Sequence, residues 1–165
     1  MKKPRRGASN SGPRALRRAA VAAPTPRERA IDLARRFKLP EAIEVLRAHL
    51  VAVERAPAPA PTDVASILVD LAQFRAATGD LSAATADALR AVSLLRAVAP
   101  APAGALGFAL FTLARLEFAA ASDGATGSLR DAVQLLTAAH GVDHPITQQA
   151  LQIARQTGAL DPSGG

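Results

Sequence analysis

The sequence predicts an all-α fold in which pairs of helices repeat along the chain and build a short solenoid. Leu71-Ala72 returns 42 residues later as Leu113-Ala114, and Ala91-Val92 returns 41 residues later as Ala132-Val133. A two-helix unit repeated at this period is typical of solenoids, which hold other macromolecules. The chain has no Cys, Trp or Tyr and only five Phe, so its core must use Leu, Val, Ile and Ala. Small residues let helices pack closely, and Ala favours helix.

The net charge of +6 is unevenly distributed. Residues 1–27 contain eight Lys and Arg and no acid, whereas the rest of the chain carries 12 cations and 14 acids. The basic character therefore belongs to the N-terminal segment, and the predicted folded part is nearly neutral. The lack of Cys excludes disulfides, thiol catalysis and the common zinc fingers. The uncharged run 97–114 is interrupted by two prolines and two glycines, so we expect no transmembrane helix.

Residues 1–24 are predicted to be a disordered basic tail, because they contain too little apolar surface to offset the entropy of ordering. Their cations are Lys2, Lys3, Arg5, Arg6, Arg14, Arg17 and Arg18. The composition is compatible with a solvated tail, with contact to acidic or nucleic-acid partners, or with a mitochondrial transit peptide. We expect the protein in the cytoplasm, or in the mitochondrial matrix if the segment is a transit peptide.

Residues 25–55 are predicted to form a first, repeat-like helix pair. Thr25 followed by Pro26, with Glu28 three residues after the Thr, is a helix start. This helix should run to about Phe37, and a second should cover 41–53. The alternating Ala-Pro segment 56–61 cannot be helical and is predicted to be a stiff connector.

Residues 62–157 should hold the main repeats. Thr62 and Asp63 offer a cap for a helix that ends at Gly79-Asp80, and the next helix should run from Ser82 to about Val98. The most apolar helix is predicted over 105–121.

A turn containing Gly124 and Gly127 should close that helix, and Ser128 should cap a partner that extends to Ala139. A last helix should run from Pro145 or Ile146 to Gln156. Residues 158–165 are expected to be a second disordered tail.

In the unit 62–91, small and apolar residues are regularly spaced over two helices and the turn between them. They are Leu68, Leu71, Ala72, Gly79-Asp80, Ala84, Ala88 and Ala91. In this spacing the chain resembles tetratricopeptide repeats over about residues 62–157. The longer period and the segment 139–145, followed by Ala150-Leu151, are similar to the kinesin-light-chain type of that repeat. The third unit departs from the pattern at Glu117, where an aromatic is usual. The resemblance implies a right-handed solenoid of antiparallel helix pairs.

The resemblance also implies a concave groove lined by the first helix of each unit. By position, the residue two after the leucine of each Leu-Ala pair should face the groove, as should the residue two after Ile153. These residues are Arg35, Gln73, Arg115 and Arg155, and Phe108, Phe111 and Phe118 stand at neighbouring positions as apolar anchors. Arginines pair with carboxylates in a bidentate manner, so the expected ligand is an acidic peptide or a terminal carboxylate. The alternative is that these are solvated arginines and core phenylalanines.

Catalytic or metal chemistry is not expected. His140 and His144 flank Asp143, but Gly141 and Pro145 break the helix between them, and zinc requires further ligands. No glycine-rich phosphate loop follows a strand. Carboxylates such as Asp70, Asp87 and Asp131 are interpreted as caps or solvated helix positions. We therefore expect neither enzymatic activity nor a cofactor.

The leading hypothesis is a non-catalytic scaffold or adaptor that binds a peptide or protein surface in the groove of residues 62–157. One alternative is binding to nucleic acid or another anionic surface through residues 1–27, which should weaken steeply with salt. Another is a structural subunit of a larger assembly, docked through the apolar helix 105–121.

Overall fold

The computed structural model describes residues 23–160, and this part of the chain is all-helical, with seven helices and no strand. The helices are α1 (Pro26–Arg35), α2 (Leu39–Glu54), α3 (Pro61–Ala77), α4 (Leu81–Arg96), α5 (Ala103–Ala119), α6 (Ala125–His140) and α7 (Pro145–Gln156). Disorder was predicted for the basic tail, residues 1–24. Of these, all but residues 23 and 24 lie outside the described part of the chain. Of the predicted tail 158–165, residues 161–165 likewise lie outside the described ones. Residues 158–160 are instead packed on the stack: Ala159 is fully buried, its amide donates to the carbonyl of Ala154, and its carbonyl accepts from Arg130.

Consecutive helices pack against each other as hairpins, and the hairpins stack in chain order. The pairs α1/α2, α3/α4 and α5/α6 form three units, α2 packs on α3, α4 packs on α5, and α7 covers α6. The first helices α3 and α5 also touch. Neighbours joined by short loops run antiparallel, so the predicted all-α fold of stacked helix pairs is confirmed.

The repeat seen in the sequence is a repeat of buried positions. The buried residues of α3 between Val64 and Ala72 correspond, 42 residues later, to those of α5 between Leu106 and Ala114. Those of α4 between Ala84 and Leu95 correspond, 41 residues later, to those of α6 between Ala125 and Leu136. The two periods therefore reflect which faces of the helices enter the core.

Each of the helices α1, α3, α5 and α7 ends in the same backbone turn, with one residue in the left-handed region. The four left-handed residues are Phe37 (φ 61°), Gly79 (87°), Ala121 (51°) and Gly158 (70°). The following amide donates to a carbonyl five residues back at 2.9 to 3.0 Å, a common way to end a helix. The accepting carbonyls belong to Leu33, Arg75, Glu117 and Ala154. These four residues therefore occupy equivalent positions in the four helices.

The caps predicted for two helices are wrong. Helix α3 begins at Pro61 with Ala60 as its N-cap, so Thr62 and Asp63 lie inside the first turn and provide no cap. Proline suits this first position because the amide it lacks would have no partner there. Helix α6 begins at Ala125, three residues before Ser128, because Ala125 is buried in the core and its turn is already helical.

The core divides into two clusters. The main cluster is built from α3 to α7, and a smaller one joins α1 and α2 to one face of α3. The smaller cluster consists of Ala30, Ala42, Leu46, Ile67 and Leu71. Both use the Ala, Leu, Val and Ile that the composition predicted. Between residues 23 and 160 no helix is both long and apolar enough to cross a bilayer.

Candidate binding groove

Two hollows lie side by side along the first helices of the stack. The first has a volume of about 400 Å³ and lies between α3 and α5, with Ala72 and Ala76 on one side and Thr112 and Ala119 on the other. The second, of about 300 Å³, lies between α5 and α7. Arg115 lines both hollows. We call the two hollows together the groove.

The helix-end register explains why particular side chains line the groove. Gln73, Arg115 and Gln152 each stand two residues before the carbonyl that closes the end of their helix. They therefore occupy equivalent positions on α3, α5 and α7, and all three line the groove. Small residues of α3 and α5 leave space beside them, because an Ala side chain does not fill the gap between adjacent helices.

The groove has a mixed lining of small apolar residues and polar side chains, with one positive charge. Arg115 is exposed and forms no ion pair with any carboxylate of residues 23–160. No acidic residue lines either hollow. The remaining polar groups are mainly amides, those of Gln73, Gln149, Gln152 and Gln156. A guanidinium and several amides can receive a carboxylate and the backbone of an extended chain.

Two of the four predicted polar groove positions come together in the structure. Gln73 and Arg115 line the same hollow, whereas Arg35 and Arg155 are exposed and line neither. Counting from the Leu-Ala pair correctly identified which residues of α3 and α5 are equivalent. Leu33 of α1, however, lies at the position of Arg75, because α1 is shorter. Leu-Ala pairs recur in any Ala-rich helix, so they do not define the register alone.

The predicted aromatic anchors do not converge on the groove. Phe111 lines the second hollow but is only 2% exposed, so it forms part of the wall. Phe108 lines a separate hollow of about 70 Å³ together with Arg27. Phe118 is half-buried and packs against the main core. Phe111 itself belongs to the main core and Phe108 also packs against it, so the interpretation as core phenylalanines fits all three.

Glutamines of α7 are the groove residues that the sequence reasoning missed. Gln149, Gln152 and Gln156 line the second hollow. Their spacing of three and four residues places them on one face of a helix, which is a signal visible in the sequence.

Two carboxylates interpreted as caps or solvated positions are instead held in ion pairs. Asp70 is buried and accepts two bonds from Arg27, at 2.5 Å from Nε and 3.2 Å from Nη2. The bond to Asp70 raises the pKa of Arg27. Arg27, counted above with the basic segment, is therefore part of α1 and already neutralised. The interpretation of Asp70 was wrong, because a helix face that is mostly apolar still accommodates an acid that has a bidentate partner.

Asp87 of α4 is the second such carboxylate. Its Oδ2 lies 2.6 Å from Nη1 of Arg75, and both side chains are largely buried. Burial raises the pKa of Asp87, while the charge of Arg75 acts in the opposite direction. The interpretation of Asp87 was therefore also wrong. Asp131 is exposed and lies 3.7 Å from Arg96, as expected for a solvated position.

The histidine pair belongs to the turn between α6 and α7. His140 ends α6, and Nδ1 of His144 accepts from the amide of Ile146 at 3.3 Å at the start of α7. The two rings stack with centroids 4.7 Å apart. Within residues 23–160, no three His, Asp or Glu side chains come together in an arrangement that could hold a metal ion.

Comparison with known proteins adds no assignment. The sequence matches no protein-family model and no curated protein.

Proposed function

We propose that the protein is a non-catalytic scaffold that binds a segment of another protein in the groove across α3, α5 and α7. The observation that carries this proposal is the placement of Arg115, which lies between two hollows and has no carboxylate partner among residues 23–160. An Asp or Glu side chain, or a terminal carboxylate, would supply the missing partner. The resemblance to tetratricopeptide repeats, which hold peptides in a groove of this kind, supports the same function.

The dimensions of the groove set the length of the ligand. Adjacent helices lie about 8–10 Å apart, so the path from α3 over α5 to α7 is about 20 Å long. An extended chain rises about 3.3 Å per residue, and a segment of about six residues would therefore cover the groove. Its backbone would bond to the glutamine amides, and its carboxylate would meet Arg115 at the centre.

The test is a selection of peptides from a random displayed library on the full-length protein. We expect the selected peptides to share an acidic residue or a free carboxyl terminus. Arg115→Glu should weaken their binding by about tenfold or more, because a charge-assisted hydrogen bond contributes about 1.5–3 kcal/mol. The matched control is Arg29→Glu, which makes the same charge change on α1, away from the groove. Equal binding by the wild type and Arg115→Glu would contradict the proposal.

The alternative is binding to an anionic surface through the basic segment. The seven cations of residues 1–24 support it, and Arg27 is excluded from that set by its bond to Asp70. The two functions differ in their response to salt and to the groove variant. Binding of nucleic acid through the tail should fall steeply with salt and be indifferent to Arg115→Glu.

A further inference from the structure

A separate hollow of about 420 Å³ lies between α4 and α6, with α5 as its floor. Leu110 and Leu113 form the floor, Leu89 of α4 forms one wall, and Glu117 lies within the lining. None of these residues lines the groove. We call this space the outer hollow.

Comparison of the repeats shows what the outer hollow lacks. Glu117 follows Arg75 by 42 residues and Ser128 follows Asp87 by 41, which are the periods of the first and second helices. In the preceding unit, Arg75 and Asp87 close this position with an ion pair of 2.6 Å. Glu117 and Ser128 cannot form such a pair. Among the described residues Glu117 therefore forms no ion pair, and Arg96, the cation that lines the outer hollow, is instead 3.7 Å from Asp131.

In the first unit the same position is closed by apolar residues. Leu33 and Val45 are the equivalents of Arg75 and Asp87, and both pack against the smaller core cluster. Of the three units, the third alone has an acid at this position and a hydroxyl opposite it.

Glu117 is partly buried, and its carboxylate is incompletely bonded. Its Oε2 is buried and has no hydrogen-bond partner among the described residues. Its Oε1 lies against the turn at Gly124, where an added Cβ would be only 3.1 Å away. A buried carboxylate oxygen without a partner is unfavourable by more than a typical hydrogen bond contributes. The site is therefore suited to a cation that brings its own donors.

The chemistry of the hollow specifies the form of that cation. An arginine side chain has an apolar stem that can lie on Leu110 and Leu113 and a guanidinium that can donate to Glu117. The hydroxyl of Ser128 provides a further acceptor.

We propose that the outer hollow binds an arginine of this chain's own N-terminal segment, one of Arg14, Arg17 and Arg18. These residues lie in a stretch with no acid, so their charge is not neutralised locally. Their binding would supply the missing counter-ion of Glu117 and place the basic segment along α4 and α6. This contact is independent of the groove and of any ligand there.

The length of the segment allows this contact. Arg27 lines a small hollow together with Leu95 and Ala105. Arg96, which follows Leu95 in the chain, lines the outer hollow. The distance along α5 from Ala105 to Glu117 is about 18 Å, and the nine residue-to-residue steps between Arg14 and Ala23 can extend over about 30 Å.

The experiment uses a fluorescent peptide with the sequence of residues 14–21 and two full-length proteins. One is the wild type, and the other carries Arg14→Gln, Arg17→Gln and Arg18→Gln. The chain's own arginines should occupy the hollow in the wild type, so we expect the peptide to bind the triple variant at least tenfold more tightly. Equal binding to both proteins would overturn the proposal, because it would show that the hollow is not occupied by the chain itself.

Two further variants, made in the triple-variant background, locate the peptide. Glu117→Gln should reduce peptide binding at least tenfold, whereas Asp123→Asn, a nearby exposed acid, should leave it within about twofold. Binding that is insensitive to Glu117→Gln would also overturn the proposal. As a second readout, the NMR methyl signals of Leu110 and Leu113 should shift on peptide addition. The absence of that shift in a folded triple variant would count against the proposal in the same way.

Discussion

At the scale of single residues, the pair Arg27 and Asp70 shows how a buried acid is tolerated in this stack. Asp70 is 9% exposed, and both of its oxygens accept from Arg27. The equivalent residue in the next unit is Thr112, which bonds to the carbonyl of Phe108 at 3.0 Å. The two units therefore satisfy one buried polar position in two ways, across helices in one case and within a helix in the other.

This comparison leads to the first prediction. Arg27→Met keeps most of the stem but leaves Asp70 buried without a partner, so it should lower the free energy of unfolding by about 1–3 kcal/mol. Adding Asp70→Thr should recover most of that loss, because Thr can bond within its own helix as Thr112 does. Urea unfolding at neutral pH measures both effects. A double variant no more stable than Arg27→Met would contradict this explanation.

Phe37 is the second residue whose position has an energetic consequence. It has φ 61°, its side chain is 93% exposed, and two of the three equivalent residues are Gly. A side chain in the left-handed region costs about 1 kcal/mol, and here burial offsets none of it. Phe37→Gly should therefore raise the free energy of unfolding by about 1 kcal/mol in thermal or urea unfolding.

The matched control for Phe37 is the reverse change at an equivalent position. Gly79 has φ 87°, and an added Cβ would meet no atom within 4 Å. Gly79→Ala should therefore lower the stability by about 1 kcal/mol through the backbone alone. A loss of stability in Phe37→Gly would show that the aromatic ring contributes contacts that outweigh the backbone strain.

At the scale of helices, α5 and α6 pack closely at Gly107. Gly107 is buried in α5, and an added Cβ would lie 3.0 Å from Cγ of Leu136 and 3.1 Å from its backbone nitrogen. A backbone atom cannot turn aside as a side chain can. The contact between the two helices therefore depends on the absence of a side chain at this position.

The prediction at this scale sets helix propensity against packing. Gly107→Ala gains about 1 kcal/mol of helix propensity, but the overpacking it causes costs about 1–3 kcal/mol, so a net loss of stability is expected. In Gly127→Ala an added Cβ in α6 meets nothing within 4 Å, so this control should gain up to about 1 kcal/mol. Thermal unfolding of the two variants distinguishes the effects. Stabilisation of both would mean that α5 and α6 separate readily.

At the scale of the whole molecule, the two clusters of the core imply unequal local stability. The first unit is attached through the small cluster around Leu46 and by the ion pairs of Arg27 with Asp70 and of Arg90 with Glu54. The units from α3 onwards share the main cluster. In a stack where each unit contacts only its neighbours, an end unit that is attached on one side only opens first.

Native-state hydrogen exchange tests this difference. The amides of α1 and α2 should exchange faster than those of α3 to α6, through an opening that leaves the rest of the stack intact. Arg27→Met should accelerate exchange in α1 and α2 while leaving α5 and α6 nearly unchanged. Uniform acceleration along the chain would contradict the division of the core into two parts.

The sequence by itself determined the fold class and most of the helices. Alanine-rich, leucine-rich segments with apolar residues every three or four positions can bury only one face as helices, and the breakers between them mark their ends. The spacing of Leu71 and Leu113 also gave the correct equivalence of Gln73 and Arg115. These features depend on local propensity and periodicity, which are properties of the chain.

The tertiary structure decided which polar residues meet. The pairing of Asp70 with Arg27 joins residues 43 apart. The Oε2 of Glu117, which has no partner among the described residues, is recognised only beside the closed pair of Arg75 and Asp87. That Gln152 lines the groove and Arg155 does not likewise follows from the residue at which α7 ends. Such contacts depend on the distance between helices and on their rotation about their axes, which packing of the whole core sets and local sequence does not.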